Sequence, residues 1–168
     1  MRYRIQEKLL CLGDDFAIRD DAGRSMYQVD GRAFTLLREK LSFLDPSGTE
    51  VAFIREKLIS LRKAYEIHRG GDRVAVVRKD LFNVFRVGFT VDVEGPDDYE
   101  AKGSIFDHEY TFRRQGRVVA EVSKKWFTLR DTYAVDIVEG EDDVLLLAAA
   151  VVIDQICHDL DGGVADTD

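Results

Sequence analysis

Cations and aromatic rings come together in one stretch, Ser123-Lys124-Lys125-Trp126-Phe127-Thr128-Leu129-Arg130. These are the residue types that an anionic lipid headgroup site uses. The ammonium or guanidinium meets phosphate, and an amphipathic ring sits at the apolar boundary. The plainer account of the same residues is an amphipathic strand with Trp126 turned inward and Lys124 and Lys125 in water. A second cluster, Arg113-Arg114-Gln115-Gly116-Arg117, falls at an expected hairpin tip. Turn amides and guanidinium groups both suit an anion, although charged turn tips are also common for conformational reasons alone. Arg69 and Arg73 flank another turn and would add to such a face if the tips converged.

Other chemistries find less support. Asp92, Glu94, Asp97, Asp98 and Glu100 could offer oxygens to calcium, but they lack the D-x-[DN]-x-[DN]-G spacing of a calcium loop. His68, His108 and His158 show no metal-binding spacing, and His158 suits the C-terminal end of a helix, where the dipole favours positive charge. Cys11 and Cys157 form no C-x-x-C pair and read as small hydrophobes. There is no G-x-S-x-G elbow and no phosphate-binding G-x-x-x-x-G-K-[ST] loop. No metal, cofactor or catalytic residue is therefore expected.

The net charge of −8 argues against a nucleic-acid binder. It is unevenly spread. Up to Arg130 the chain carries 24 basic and 21 acidic residues, a net of +3, and the last 38 residues carry 11 acids and no lysine or arginine. Some of those acids bracket a run of ten apolar residues, Val144 to Ile153. Ten helical residues span about 15 Å, against about 30 Å for a bilayer core, so the run cannot cross a membrane. Being apolar all round, it must be covered on every side. The apolar stretch near the N-terminus, Leu9 to Leu12, is too short for a signal-peptide core, and a cytoplasmic protein is expected.

The remaining elements must do the covering. Gly23, Gly48, Gly71, Gly95, Gly116 and Gly140 recur at intervals of 25, 23, 24, 21 and 24 residues. Most lie among Asp, Pro, Ser or Arg in typical turn settings. Between them run alternating or β-branched stretches, such as Val51 to Ile54, Val74 to Val77 and Val118 to Val122. Two strands per interval give roughly ten to twelve strands. Residues Ile54 to Tyr65 are ambiguous. Apolar residues at 54, 58, 61 and 65 have helical spacing, but a strand, a bend near Ser60 and a second strand from Lys63 also fit. Arg32 to Leu44 carries a similar ambiguity, and a strand there would turn Phe34 and Leu36 inward, with Leu41 and Phe43 as further candidates. A helix is expected from about Asp142 to about Asp159, stopped by Gly162-Gly163. A closed antiparallel barrel wrapped around that helix satisfies every requirement.

Several stretches carry a family likeness: Asp21-Ala22-Gly23 through Tyr27-Gln28-Val29-Asp30-Gly31, Gly48-Thr49-Glu50-Val51-Ala52, Lys57-Leu58-Ile59-Ser60-Leu61 leading to Tyr65-Glu66-Ile67, Ser123-Lys124-Lys125-Trp126-Phe127, Asp131 to Ile137, and the final apolar helix through Ile153-Asp154. In this order the chain resembles the LURP-one-related family. That family sits in the tubby C-terminal-like superfamily with the phospholipid scramblases. The resemblance implies a twelve-stranded antiparallel barrel around a hydrophobic C-terminal helix, and strands rather than helix across Ile54 to Tyr65. It implies no enzymatic activity. Relatives in the superfamily are linked to phosphoinositide binding or lipid movement.

One domain is expected over residues 1–160, with a disordered acidic tail at 161–168. The function expected is a non-enzymatic, cytoplasmic binding module, peripheral at a membrane, that recognises an anionic phospholipid headgroup. Lys124, Lys125, Arg113, Arg114 and Arg117 are the candidate contacts. A protein-interaction scaffold is the first alternative, and an enzyme with an unrecognised site the second.

Overall fold

Twelve strands and one helix follow in chain order in this computed structural model. They are β1 (Arg2–Glu7), β2 (Phe16–Asp20), β3 (Ser25–Asp30), β4 (Lys40–Leu44), β5 (Glu50–Glu56), β6 (Ala64–Arg69), β7 (Asp72–Lys79), β8 (Gly88–Val93), β9 (Tyr99–Ser104), β10 (Glu109–Arg114), β11 (Arg117–Ser123), β12 (Thr132–Ile137) and α1 (Asp143–Gly162). The described residues are 1–7, 16–31, 40–57, 63–80, 87–125 and 132–162, with side chains through residue 158. Cys11, Phe34, Leu36, Trp126, Phe127 and the tail beyond Gly162 lie outside them.

Each strand pairs antiparallel with its neighbour in sequence, and β1 pairs with β12, so the sheet closes on itself. Closure leaves no edge strand with unpaired amides. Alternation along the strands turns one face inward. In β4, Leu41 and Phe43 are buried between half-buried Lys40, Ser42 and Leu44. In β2, Phe16 and Ile18 are buried and Arg19 is exposed. The ambiguous stretch is strand at both described ends. Ile54 in β5 pairs with Ile67 in β6, and both are fully buried. Cross-strand pairing and an inward place for Ile54 and Tyr65 override the helical periodicity.

The helix α1 runs through the barrel. Leu146 to Val152 are 0% exposed on every side, which is what an all-round apolar helix requires. Each buried leucine, valine or isoleucine contributes about 2 kcal/mol relative to exposure. Three consecutive alanines, Ala148 to Ala150, lie mid-helix and are fully buried.

The meander gives the barrel two unlike ends. Turns β2–β3, β4–β5, β6–β7, β8–β9 and β10–β11, together with the β12–α1 link, lie at one end, the turn end. All six regularly spaced glycines sit there with φ between 76° and 123°, a backbone region that favours glycine. The exits of β1, β3, β5, β7, β9 and β11 face the opposite end, the far end.

Candidate functional site

The five cations singled out in the sequence divide between the two ends. Lys124 and Lys125 follow β11 at the far end. Arg113, Arg114 and Arg117 sit at the β10–β11 tip, where Arg114 is the cross-strand partner of Arg117. About six residues of strand, roughly 20 Å, separate the two groups. They form no common patch.

At the far end the chain wraps Glu109. The Ser123 hydroxyl donates to both carboxylate oxygens at 2.9 and 3.1 Å, and the backbone N–H groups of Lys124 and Lys125 donate to Oε1 at 3.0 Å each. Lys125 Nζ stands 3.3 Å from Oε2. Burial alone would raise this carboxyl. The Ser123 hydroxyl, the Lys124 amide and the Lys125 ammonium together hold it below its ordinary value.

At the turn end Arg114 serves the helix. Its Nη2 donates to Glu141 at 2.8 Å, its guanidinium lies 5.4 Å over the Tyr99 ring, and the Tyr99 hydroxyl also reaches Glu141 at 3.3 Å. Arg69 grips Asp142 with both terminal nitrogens, at 2.7 and 2.6 Å. Asp142 in turn caps the helix, accepting the Leu145 N–H on its side chain and the Leu146 N–H on its backbone carbonyl. The Tyr3 hydroxyl donates to Asp143. The acids Glu141, Asp142 and Asp143 thus complement the helix dipole and also bolt its N-terminus to β10, β6 and β1. Arg113 and Arg117 remain exposed.

The acidic stretch is engaged piecemeal. Asp92 pairs with Arg78, Asp98 accepts the Val93 N–H at 3.0 Å, Asp97 accepts from Gln115 at 2.5 Å, and Glu100 pairs with Lys102 at 2.6 Å. Among the described residues no three of His, Cys, Asp and Glu are grouped to hold a metal ion. His108 pairs with Asp154 on the helix and stacks on Tyr133, with ring centroids 4.7 Å apart. Cys157 is buried and His158 exposed.

Two groupings were missed by sequence reasoning. The first is the placement of lysine. Lys40 opens β4, Lys57 follows β5, Lys63 precedes β6, Lys79 closes β7, Lys102 lies past the middle of β9 on its way out, and Lys124 and Lys125 follow β11. Every described lysine therefore stands in the far half of the barrel, around the C-terminal end of α1. Carboxylates there are partly drawn into local bonds. Asp80 accepts from the Thr90 hydroxyl at 2.9 Å, and Glu109 is enclosed as above.

The second lies on the outer face of β5, β6 and β7. Glu66 is buried there, 8% exposed, and is met by Arg55 at 2.6 Å, His68 at 3.2 Å and Arg73 at 3.7 Å. A β-bulge between Ile67 and His68 shifts the register so that His68 faces Arg73. The Arg55 hydrogen bond, with His68 behind it, pulls the Glu66 carboxyl down to about 2. Beside it a groove of about 260 Å³ is lined by Phe53, Arg55, His68 and the Gly70–Gly71 turn, among others.

Comparison with known proteins agrees with this architecture. A family model described as LURP-one-related matches residues 1–154. An uncharacterised Bacillus subtilis protein, YxjI, is 31% identical over 154 residues, spanning 92% of each chain. Protein LURP-one-related 15 of Arabidopsis thaliana is 27% identical, covering 90% of this chain and 78% of its own. The fold is shared with an Arabidopsis thaliana protein of known X-ray structure, at a TM-score of 0.63 and 19% identity over 92% of this chain and 91% of that one. With the family model spanning the barrel and most of the helix it encloses, the chain belongs to the LURP-one-related family.

Proposed function

We propose that this protein is a non-enzymatic binding module that seats the far end of its barrel on an anionic lipid surface. The observation that carries the reading is the collection of lysines at that end. Lysine is the residue type for such contact, because its long apolar stem lets the ammonium reach past the protein surface. Each lysine held near an anionic bilayer contributes about 1 kcal/mol at modest salt. The side-chain interior is already occupied by α1, which supports binding on the outside over turnover within. A cytoplasmic location, facing an anionic leaflet, goes with this reading. No helix among the described residues is long and apolar enough to cross a membrane. Of the cations singled out from the sequence, Lys124 and Lys125 belong to the proposed contact, whereas Arg113, Arg114 and Arg117 point the other way along the barrel.

Vesicle sedimentation tests the reading. Phosphatidylcholine vesicles should leave the protein in the supernatant. Vesicles containing phosphatidylserine should carry it down at low salt and release it as salt rises. The triple variant Lys57→Glu, Lys79→Glu, Lys124→Glu should stay in the supernatant throughout. Equal, negligible sedimentation of the natural protein with both vesicle types removes the reading.

A second reading, a protein partner, draws support from Met1, Val118 and Val138. These are 62%, 43% and 52% exposed, on adjoining strand ends at the turn end. Exposed apolar residues brought side by side mark contact surfaces. This surface lies at the other end from the lysines, so Val118→Asp with Val138→Asp should leave vesicle sedimentation unchanged.

A further inference from the structure

Glu66 is a buried carboxylate facing three groups able to carry positive charge, Arg55, His68 and Arg73. One carboxylate balances one of them. Arg55 offers it only Nη2, and Arg73 approaches loosely and is 52% exposed. The cluster therefore holds cationic capacity beyond what Glu66 uses, on a face where the side chains are held in place. Arg55 and His68 also wall the adjoining groove. The Phe53 ring closes one side of it, edge-on to His68 with centroids 6.3 Å apart. Gly70 and Gly71 form another wall, and nothing lies within 4 Å of where a Cβ would sit on either. A ligand can approach that backbone closely. At about 260 Å³ the groove is smaller than a typical drug-sized pocket. Glu50 also borders the groove and is engaged by the Ser42 hydroxyl at 3.0 Å.

We propose that this groove binds the phosphate group of a small phosphorylated molecule, with Arg55 and His68 as its ligands, the Gly70–Gly71 backbone beside it and Phe53 against the molecule's body. Arginine suits phosphate because its planar fork presents several donors at once. Glu66 holds Arg55 and His68 in place, and Arg73 remains to balance Glu66 when phosphate draws on Arg55. The site is separate from the lipid contact proposed above. Most of its walls, Glu50 to Phe53 and His68 to Gly71, lie toward the turn end, so a bilayer seated on the lysines leaves the groove in water. A soluble molecule is the favoured source of the phosphate, and a phosphorylated lipid headgroup is the other.

Calorimetric titration with inorganic pyrophosphate, alongside sedimentation with phosphatidylcholine vesicles containing a phosphatidylinositol phosphate, separates the two. Saturable pyrophosphate binding is expected. Arg55→Gln and His68→Gln should each weaken it roughly tenfold, the loss that one charge-assisted hydrogen bond implies. Arg117→Ala should not, and melting curves should show all three variants folded. If only vesicle binding responds to Arg55→Gln and His68→Gln, the phosphate site stands and its source is the headgroup. Absence of saturable binding in both assays, or an equal loss with Arg117→Ala, overturns the proposal. The lysine triple variant should keep its pyrophosphate affinity, so failure of the membrane reading and failure of this one give different results.

Discussion

The two ends of the barrel hold one helix by different means. At the turn end three consecutive acids are gripped from three strands: Glu141 by Arg114, Asp142 by Arg69 and Asp143 by Tyr3. At the far end Asp154 on the helix pairs with His108. The charge is sorted the same way. Acids gather where the helix dipole is positive, and lysines where it is negative. The turn end thus uses Arg69 and Arg114 internally. At the far end Lys102 and Lys125 pair locally with Glu100 and Glu109, and Lys57, Lys79 and Lys124 are the lysines that the proposed lipid contact draws on. That difference explains why basic residues that look alike in sequence, Arg114 and Lys124, have unlike roles.

Removing what both ends share should have the largest effect. Ala149 is fully buried at mid-helix within the hydrophobic core. Ala149→Asp places an unpaired charge there, at a cost of several kcal/mol that exceeds the margin of most domains. Circular dichroism and thermal melts should show no cooperative transition. A soluble, cooperatively melting variant would contradict the enclosed helix.

Glycine substitution separates the ends next. A Cβ on Gly103, at φ +146°, would stand 2.5 Å from the Glu109 carbonyl oxygen and 2.7 Å from Tyr110 Cα. Those are backbone atoms and cannot swing away. Gly103→Ala should cost about 3 kcal/mol by overpacking and backbone strain. Gly71 has open space around it, so Gly71→Ala should cost only the roughly 1 kcal/mol of a left-handed non-glycine residue. Paired denaturant titrations give both values, and equal losses would refute the distinction.

Much of this arrangement was legible in the sequence. The run Val144 to Ile153 demanded a wrapping, and the spaced glycines supplied the turns. The same spacing held a further message. Intervals of 21 to 25 residues contain two strands, so all those glycines must lie at one end and the midpoints of the intervals at the other. Lys40, Lys57, Lys63, Lys79, Lys102, Lys124 and Lys125 fall near those midpoints. The sorting of lysine was therefore readable once strand direction was followed along the chain. The Glu66 cluster was not. It depends on the register that sets Arg55 opposite Glu66 and on the bulge that turns His68 toward Arg73, and neither leaves a local mark. The grip on the terminal acids was also hidden, because composition cannot say which arginine reaches which carboxylate.

Breaking the clasp at one point should cost less than Ala149→Asp or Gly103→Ala. Arg69→Met leaves Asp142 half-buried without its bidentate partner but still capping the helix, a loss of about 2 kcal/mol. Acid should act in the same direction. Burial pushes the Asp142 carboxyl up, but its Arg69 bonds hold it below its ordinary value, and Glu66 is held at about 2. A lowered folded-state value means that stability is fully present above the ordinary carboxylate range and is lost as pH falls toward the folded value. For Glu66 the window runs from 4.5 down to about 2. Stability measured by denaturant should decline across it in the natural protein. In Glu66→Gln the decline should be shallower, and an identical slope would remove Glu66 from the account.

The smallest effect is expected where the far end differs most from the turn end. Lys124 supports the fold through its backbone N–H, which donates to Glu109 at 3.0 Å. Lys124→Ala keeps that N–H and removes only a half-buried stem and its ammonium. Stability should therefore change by less than about 0.5 kcal/mol, while sedimentation with phosphatidylserine vesicles weakens. Arg114→Ala removes the side chain that bonds Glu141 and covers Tyr99, so its melting temperature should fall while sedimentation holds. The crossed pattern is the discriminating result, because a general loss of positive charge would move both variants alike in the vesicle assay.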